Sequence, residues 1–196
     1  MPKMSSEPAT QAGRTTLHGP TMGTRWSATV DAGITTDMAA LRHALAAAVE
    51  RVDGQMSPWK PHSDLMRLNR APVDEWVDLP ADILEVLDCA LDVHRLSAGA
   101  FDPCVGALVN AWGFGAVRDA PDAQAIRAAR QSTPLPAHGR LELDRPSGRA
   151  RKRATLQLDL CGIAKGYAVD RMTHVLQQHG VRHALAALDG ELRAVG

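Results

Sequence analysis

Charge of one sign is what the sequence most plainly lacks. Its 22 basic and 22 acidic residues cancel, so bulk electrostatics gives no pull toward a polyanion such as nucleic acid. Cysteine is scarce as well. Cys89, Cys104 and Cys161 are far apart, odd in number and form no Cys-x-x-Cys pair. That argues against a disulfide framework or a structural zinc and leaves buried reduced thiols as the reading. No apolar run approaches the roughly 20 residues that span a bilayer. Residues 1–16 are polar and lack the apolar core of a secretory signal. They read as a disordered leader ahead of an ordered part, residues 17–196, and on that reading the protein is cytoplasmic. Several catalytic signatures are also missing: G-x-x-x-x-G-K-[ST], G-x-G-x-x-G after a strand, H-E-x-x-H and G-x-S-x-G. P-loop, Rossmann, zincin and α/β-hydrolase chemistry therefore have no support in the sequence.

What is present is a globular composition, 45% hydrophobic and 22% charged. The length allows one domain with a proper core, or one domain and a fragment. Residues 18–24 form a turn-rich approach to a strand over 24–31, with Trp26, Ala28 and Val30 on one face. Gly33 turns the chain, and Thr35 or Thr36 caps a helix whose stripe is Leu41, Leu45, Ala48, Val49, Val52 and Met56. A proline-punctuated loop carrying Trp59 leads to a short capped helix at Ser63. That Trp either stacks on a flat ligand or packs on its own domain. Pro80 opens the next helix at its first position and Gly99 stops it. Its Ile83, Leu84, Leu87 and Leu91 pack inward with Val93 or His94, and His94 reads as structural. Asp102-Pro103 fits a helix cap. A weak helix spans 119–131, and 133–139 is a loop. A strand over 141–144 turns at Pro146-Ser147-Gly148. The cluster Arg149, Arg151, Lys152, Arg153 reads as a solvated hairpin end. A last hairpin joins 184–188 to 191–195 through Asp189-Gly190.

The chain is organised around residues 156–170. Leu156, Leu158 and Leu160 alternate with polar residues like a half-buried strand that closes the preceding hairpin. Cys161-Gly162 breaks the alternation, and from Ile163 the spacing becomes helical. A strand–glycine turn–helix junction presents free amides and a helix dipole to an anion. With a surface Lys165 it reads equally as a plain connection.

Five ordered blocks resemble the FAD:protein FMN transferases, the ApbE-type flavin transferases. They are Thr21-Met22-Gly23-Thr24; Met56-Ser57-Pro58-Trp59 with Ser63-Asp64-Leu65 and Asn69; Gly99-Ala100-Phe101-Asp102-Pro103 with Trp112-Gly113-Phe114-Gly115; Leu158-Asp159-Leu160 with residues 162–170; and Asp189-Gly190-Glu191 with Arg193-Ala194-Val195-Gly196. The resemblance implies an α+β fold related to the T-fold, with a mixed or antiparallel sheet. It implies Mg²⁺-dependent cleavage of FAD, release of AMP and attachment of FMN to a Thr or Ser hydroxyl of a target flavoprotein. It places Met22, Trp59, Ala100, Phe101 and Asp102 along the FAD site, with Asp102 and Trp59 bordering one cleft. Cys161 and Tyr167 fall on the flavin-nucleotide path, and the Ala164 carbonyl becomes a metal ligand. Relatives are expected to continue beyond this hairpin, carrying the remaining metal ligands and a His segment, so the chain resembles a C-terminally truncated member with no assignable catalytic residue. The alternatives are an Mg²⁺-dependent FAD pyrophosphatase giving FMN and AMP, and an inactive flavin-binding fragment.

Overall fold

The computed structural model describes residues 13–31, 36–116, 120–131 and 136–196. The chain divides into two units, Met1–Ala48 with Val169–Gly196, and Val49–Ala168. The expected turn at Gly33 and the cap at Thr35 lie outside the described residues.

The first unit is built on an antiparallel sheet in the order β1 (Arg14–Thr21), β2 (Thr24–Asp31), β6 (Ala184–Leu188), β7 (Glu191–Val195). The period of two in β2 puts Trp26, Ala28 and Val30 inside, and Ala186 and Leu188 of β6 join them. The stretch read as a turn-rich approach is strand β1. It begins at Arg14, inside the expected leader, and every residue of β1 is paired in register with β2. A Pro at position 20 is tolerated because β1 is an edge strand. Helix α1 (Met38–Met56) starts in this unit, capped by Asp37 and not by Thr36: the Asp37 carboxylate accepts the Ala39 and Ala40 amides, both at 3.0 Å.

The second unit is mostly helical, with α2 (Asp64–Arg70), α3 (Ala81–Leu96), α4 (Gly106–Ala111), α5 (Ala123–Gln131), α6 (Ala137–Arg140) and the start of α7 (Ala164–Gln178). The end of the expected loop over 133–139 is therefore helical, as α6. A small antiparallel sheet runs β3 (Val77–Asp78), β5 (Arg149–Lys152), β4 (Leu141–Asp144). Ser63 caps α2, its hydroxyl accepting the Met66 amide. Pro80 stands one residue outside α3, at its cap. The buried face of α3 holds Ile83, Leu84, Val86, Leu87, Ala90 and His94, which settles the choice between Val93 and His94.

Two further expectations for this unit are corrected. The basic cluster is not simply a solvated end. Arg149, Arg151 and Arg153 pair with Asp144, Glu142 and Asp74, and the first two stack over Trp76. Lys152 turns inward on the period of β5, and its ammonium donates to the Asn69 carbonyl at 2.6 Å. Burial lowers the Lys152 pKa. Residues 156–160, moreover, form no strand. Leu156, Leu158 and Leu160 are buried as the alternation requires. Among the described residues their one ladder contact is a parallel bridge between Val105 and Gln157. A side chain replaces the missing neighbour: Asn69 accepts the Leu158 amide at 2.8 Å and donates to the Leu158 carbonyl at 3.0 Å. Among the described residues no helix is long and apolar enough to cross a membrane.

Candidate functional site

The block at residues 99–103 follows directly from the end of α3. Ala98 and Gly99 take left-handed φ values of +52° and +85°, and the Gly99 amide returns to the His94 carbonyl at 2.9 Å. The Phe101 amide donates to the Ser97 hydroxyl at 3.0 Å. Its carbonyl lies 2.8 Å from His94 Nδ1. His94 Nε2 is 3.2 Å from the Ala137 amide, which can only donate. Nε2 is therefore the acceptor, and Nδ1 carries the proton that reaches Phe101.

Asp102 is not the cap of α4, which begins four residues later with Val105 at its cap. One carboxylate oxygen accepts the Cys104 amide at 2.8 Å, and the other accepts from Arg140 Nη2 at 2.7 Å. The Arg140 side chain is 5% exposed and that of Asp102 16%. Asp102, Cys104 and Arg140 border a groove of about 530 Å³, walled by Val105 at the cap of α4, Leu108 of α4, Arg130 of α5, and Leu156 with Gln157. Trp59 is not among its lining residues, so this groove is not a cleft that Trp59 and Asp102 share.

The turn at residues 161–163 is brought against the same block. A Cβ on Gly162 would stand 3.2 Å from Cε2 of Phe101, so the ring packs closely on the glycine and would have to shift by a few tenths of an ångström for any larger residue. The Gln157 carbonyl accepts the Gly106 amide, and the Asp159 amide reaches the Pro103 carbonyl at 2.8 Å. The turn also consumes amides expected to be free for an anion. Cys161 N–H donates to the Asp159 carboxylate, and Ile163 and Ala164 N–H donate to the Leu160 carbonyl.

Burial pushes the Cys161 thiol up to about 12, with the neighbouring Asp159 adding to the shift and Lys165 opposing it. Burial does the same to Cys104, against the pull of Arg140. Both thiols are held in the unreactive protonated form at neutral pH. Iodoacetamide at pH 8 should modify the exposed Cys89 first and leave Cys104 and Cys161 untouched, as peptide mass mapping would show. Tyr167 sends its hydroxyl toward two α3 carboxylates, Asp82 at 2.9 Å and Glu85 at 3.1 Å. Burial first, then these charges, raise its pKa. Its hydroxyl is engaged with α3.

Known proteins match this chain over nearly its whole length. The ApbE family profile matches residues 22–196. This chain belongs to the ApbE family. A Klebsiella pneumoniae (strain 342) relative named FAD:protein FMN transferase is 34% identical over 197 residues, covering 97% of this chain and 55% of the relative. One of the same name from Haemophilus influenzae is 30% identical, covering 92% and 54%. Among solved structures, flavin transferase ApbE from Vibrio cholerae superposes with a TM-score of 0.86 at 30% identity, over 94% of this chain and 60% of that one. Flavinyl transferase ApbE from Pseudomonas stutzeri, in its apo form, gives 0.86 at 31%, over 97% and 63%. The chain spans about half the length of the curated relatives it matches.

In this ApbE-family chain the remaining expected site residues fall in different settings. Met22 lies in the first unit, at the two-residue turn between β1 and β2, with φ +46° beside Gly23 at +71°. A left-handed Met is costly where Asn or Gly is usual. Met22→Asn should therefore raise stability by about 1 kcal/mol, read by thermal melting.

Trp59 is 57% exposed on the loop between α1 and α2. That loop is held by Lys60, which pairs with Glu50 and Asp53 at 2.7 Å each. Ala100 is exposed beside the half-buried Phe101. Ala164 is the buried first residue of α7, so its carbonyl accepts an amide one turn later. His94 and Arg140 were not singled out by the sequence as site residues. The one visible signal was a His on the inward face of α3, one turn before the glycine that ends it.

Proposed function

We propose that this chain binds FAD and serves the transfer of its FMN part to a Thr or Ser hydroxyl of a target flavoprotein, with AMP released. The observation that carries the reading is the meeting of two family blocks, with Phe101 packed on Gly162 in a chain that belongs to the ApbE family. Relatives named FAD:protein FMN transferase support it.

In the transfer, the acceptor oxygen attacks the phosphorus on the FMN side of the pyrophosphate. A P–O bond breaks, and AMP leaves with the bonding electrons. What this chain's own residues supply is binding and orientation: the preset main chain of residues 99–103 and the aromatic faces of Phe101 and the exposed Trp59. Mg²⁺ would stabilise charge on the pyrophosphate. The donors in hand do not fit it. Among the described residues no group of three or more His, Cys, Asp or Glu side chains converges, and the Ala164 carbonyl is a single neutral oxygen donor. Mg²⁺ prefers six oxygens and gives up its waters reluctantly, so these residues do not hold it by themselves.

The test is incubation with FAD, Mg²⁺ and a flavoprotein acceptor domain, followed by intact mass, with quenching of flavin fluorescence as a separate binding readout. Weak, saturable FAD binding with little or no FMN gained by the acceptor is the result expected of this chain by itself, since its residues do not hold Mg²⁺. Absence of saturable FAD binding would sink the reading.

A further inference from the structure

We propose that His94 and the one-turn helix α6 form a clamp that presets residues 99–103 for a flavin nucleotide. The proposal rests on the FAD reading above. The nine-residue connection between α3 and α4 has many accessible conformations, and ordering it on binding would cost affinity. Here its polar groups are held in advance. The Phe101 carbonyl is held by His94 Nδ1–H, the Phe101 amide by Ser97, and the Asp102 carboxylate by Arg140 and the Cys104 amide.

Both outside holders trace to α6. Its first residue, Ala137, donates to His94 Nε2, and its last is Arg140. Both are buried, Ala137 at 0% and Arg140 at 4%. His94 itself is 6% exposed. A neutral imidazole donates at one edge and accepts at the other, so it couples the Phe101 carbonyl to the α6 backbone. The other titratable groups facing it are Asp102, with Oδ1 4.0 Å from Nδ1, and His138, whose ring centroid lies 6.3 Å away. His94 and Arg140 are thus positioning residues: they set the main chain that Phe101 and Asp102 present.

The experiment compares His94→Ala and His94→Gln with Leu87→Ala, a core truncation on the same helix where Leu87 is fully buried. The two readouts are amide exchange over residues 99–104 and the FAD dissociation constant by flavin fluorescence. His94→Ala should speed exchange at Phe101 and Cys104 and weaken FAD at least tenfold. His94→Gln, which offers an acceptor near the position of Nε2, should recover part of both, and it remains informative if His94→Ala does not fold. Leu87→Ala should lower the melting temperature and leave FAD affinity within twofold. Equal loss of FAD affinity in Leu87→Ala, or unchanged exchange in both His94 variants, overturns the proposal. A wild-type chain that fails to bind FAD overturns the flavin reading instead, and the exchange data still decide whether the clamp exists.

Discussion

Replacing Asn69 by alanine should be among the most damaging single changes in the chain, costing about 3 kcal/mol of stability if each of two buried backbone groups loses its partner. The Asn69 amide is the hydrogen-bonding neighbour that residues 156–160 would otherwise find in an adjacent strand. Removing it leaves the Leu158 N–H and C=O unpaired beside Leu158 itself, which is 2% exposed. Asn69→Asp is the sharper probe. A carboxylate still accepts the Leu158 amide, but its second oxygen then faces the Leu158 carbonyl, acceptor against acceptor. Urea unfolding should give a lower midpoint with unchanged slope for both variants. If Asn69→Asp unfolds like wild type, the carbonyl bond contributes nothing. Since these residues lead into the turn under Phe101, both variants should also loosen FAD binding.

Much of the fold was legible because hydrophobic period maps directly onto burial. Leu41, Leu45, Val49, Val52 and Met56 of the α1 stripe and the alternating Trp26, Ala28 and Val30 are buried as read, with Ala48 half-buried, and the hairpin from Ala184 to Val195 has the expected ends. The failures share a cause. Alternation reports which side chains are buried, not what the backbone pairs with. Residues 156–160 alternate like a strand, yet their partners are Asn69, Pro103 and Gly106. Strand β1 was missed for the opposite reason, since glycine and proline at 19 and 20 mask an edge strand whose pairing is complete. The helix start moved to Asp37 because an Asp one position later competes for the same amides. At the site, the family blocks named Phe101 and Gly162 but not their contact. Arg140 carried no local signal, because its role depends on a partner 38 positions earlier.

Arg140→Met should cost about 3–5 kcal/mol, the usual range for removing one partner of a buried ion pair. The Asp102 carboxylate would keep the Cys104 amide but lose the guanidinium that balances its charge, with its side chain 16% exposed. The pair is also geometrically unusual. Asp102 spends one oxygen on Cys104, so Arg140 donates a single bond through Nη2, and its buried Nε has no acceptor. A bidentate pair would have satisfied both nitrogens. Asp102→Asn keeps an acceptor for Cys104 and removes the charge, so it strands the guanidinium instead. The double variant Asp102→Asn with Arg140→Met buries neither charge and should be more stable than the sum of the singles implies, with a coupling of about 1–3 kcal/mol in urea unfolding. Strict additivity would mean that the two groups do not depend on each other. FAD affinity separates stability from site geometry in the same set. The double variant should regain stability without regaining affinity, because an uncharged carboxamide at position 102 is no longer drawn toward α6.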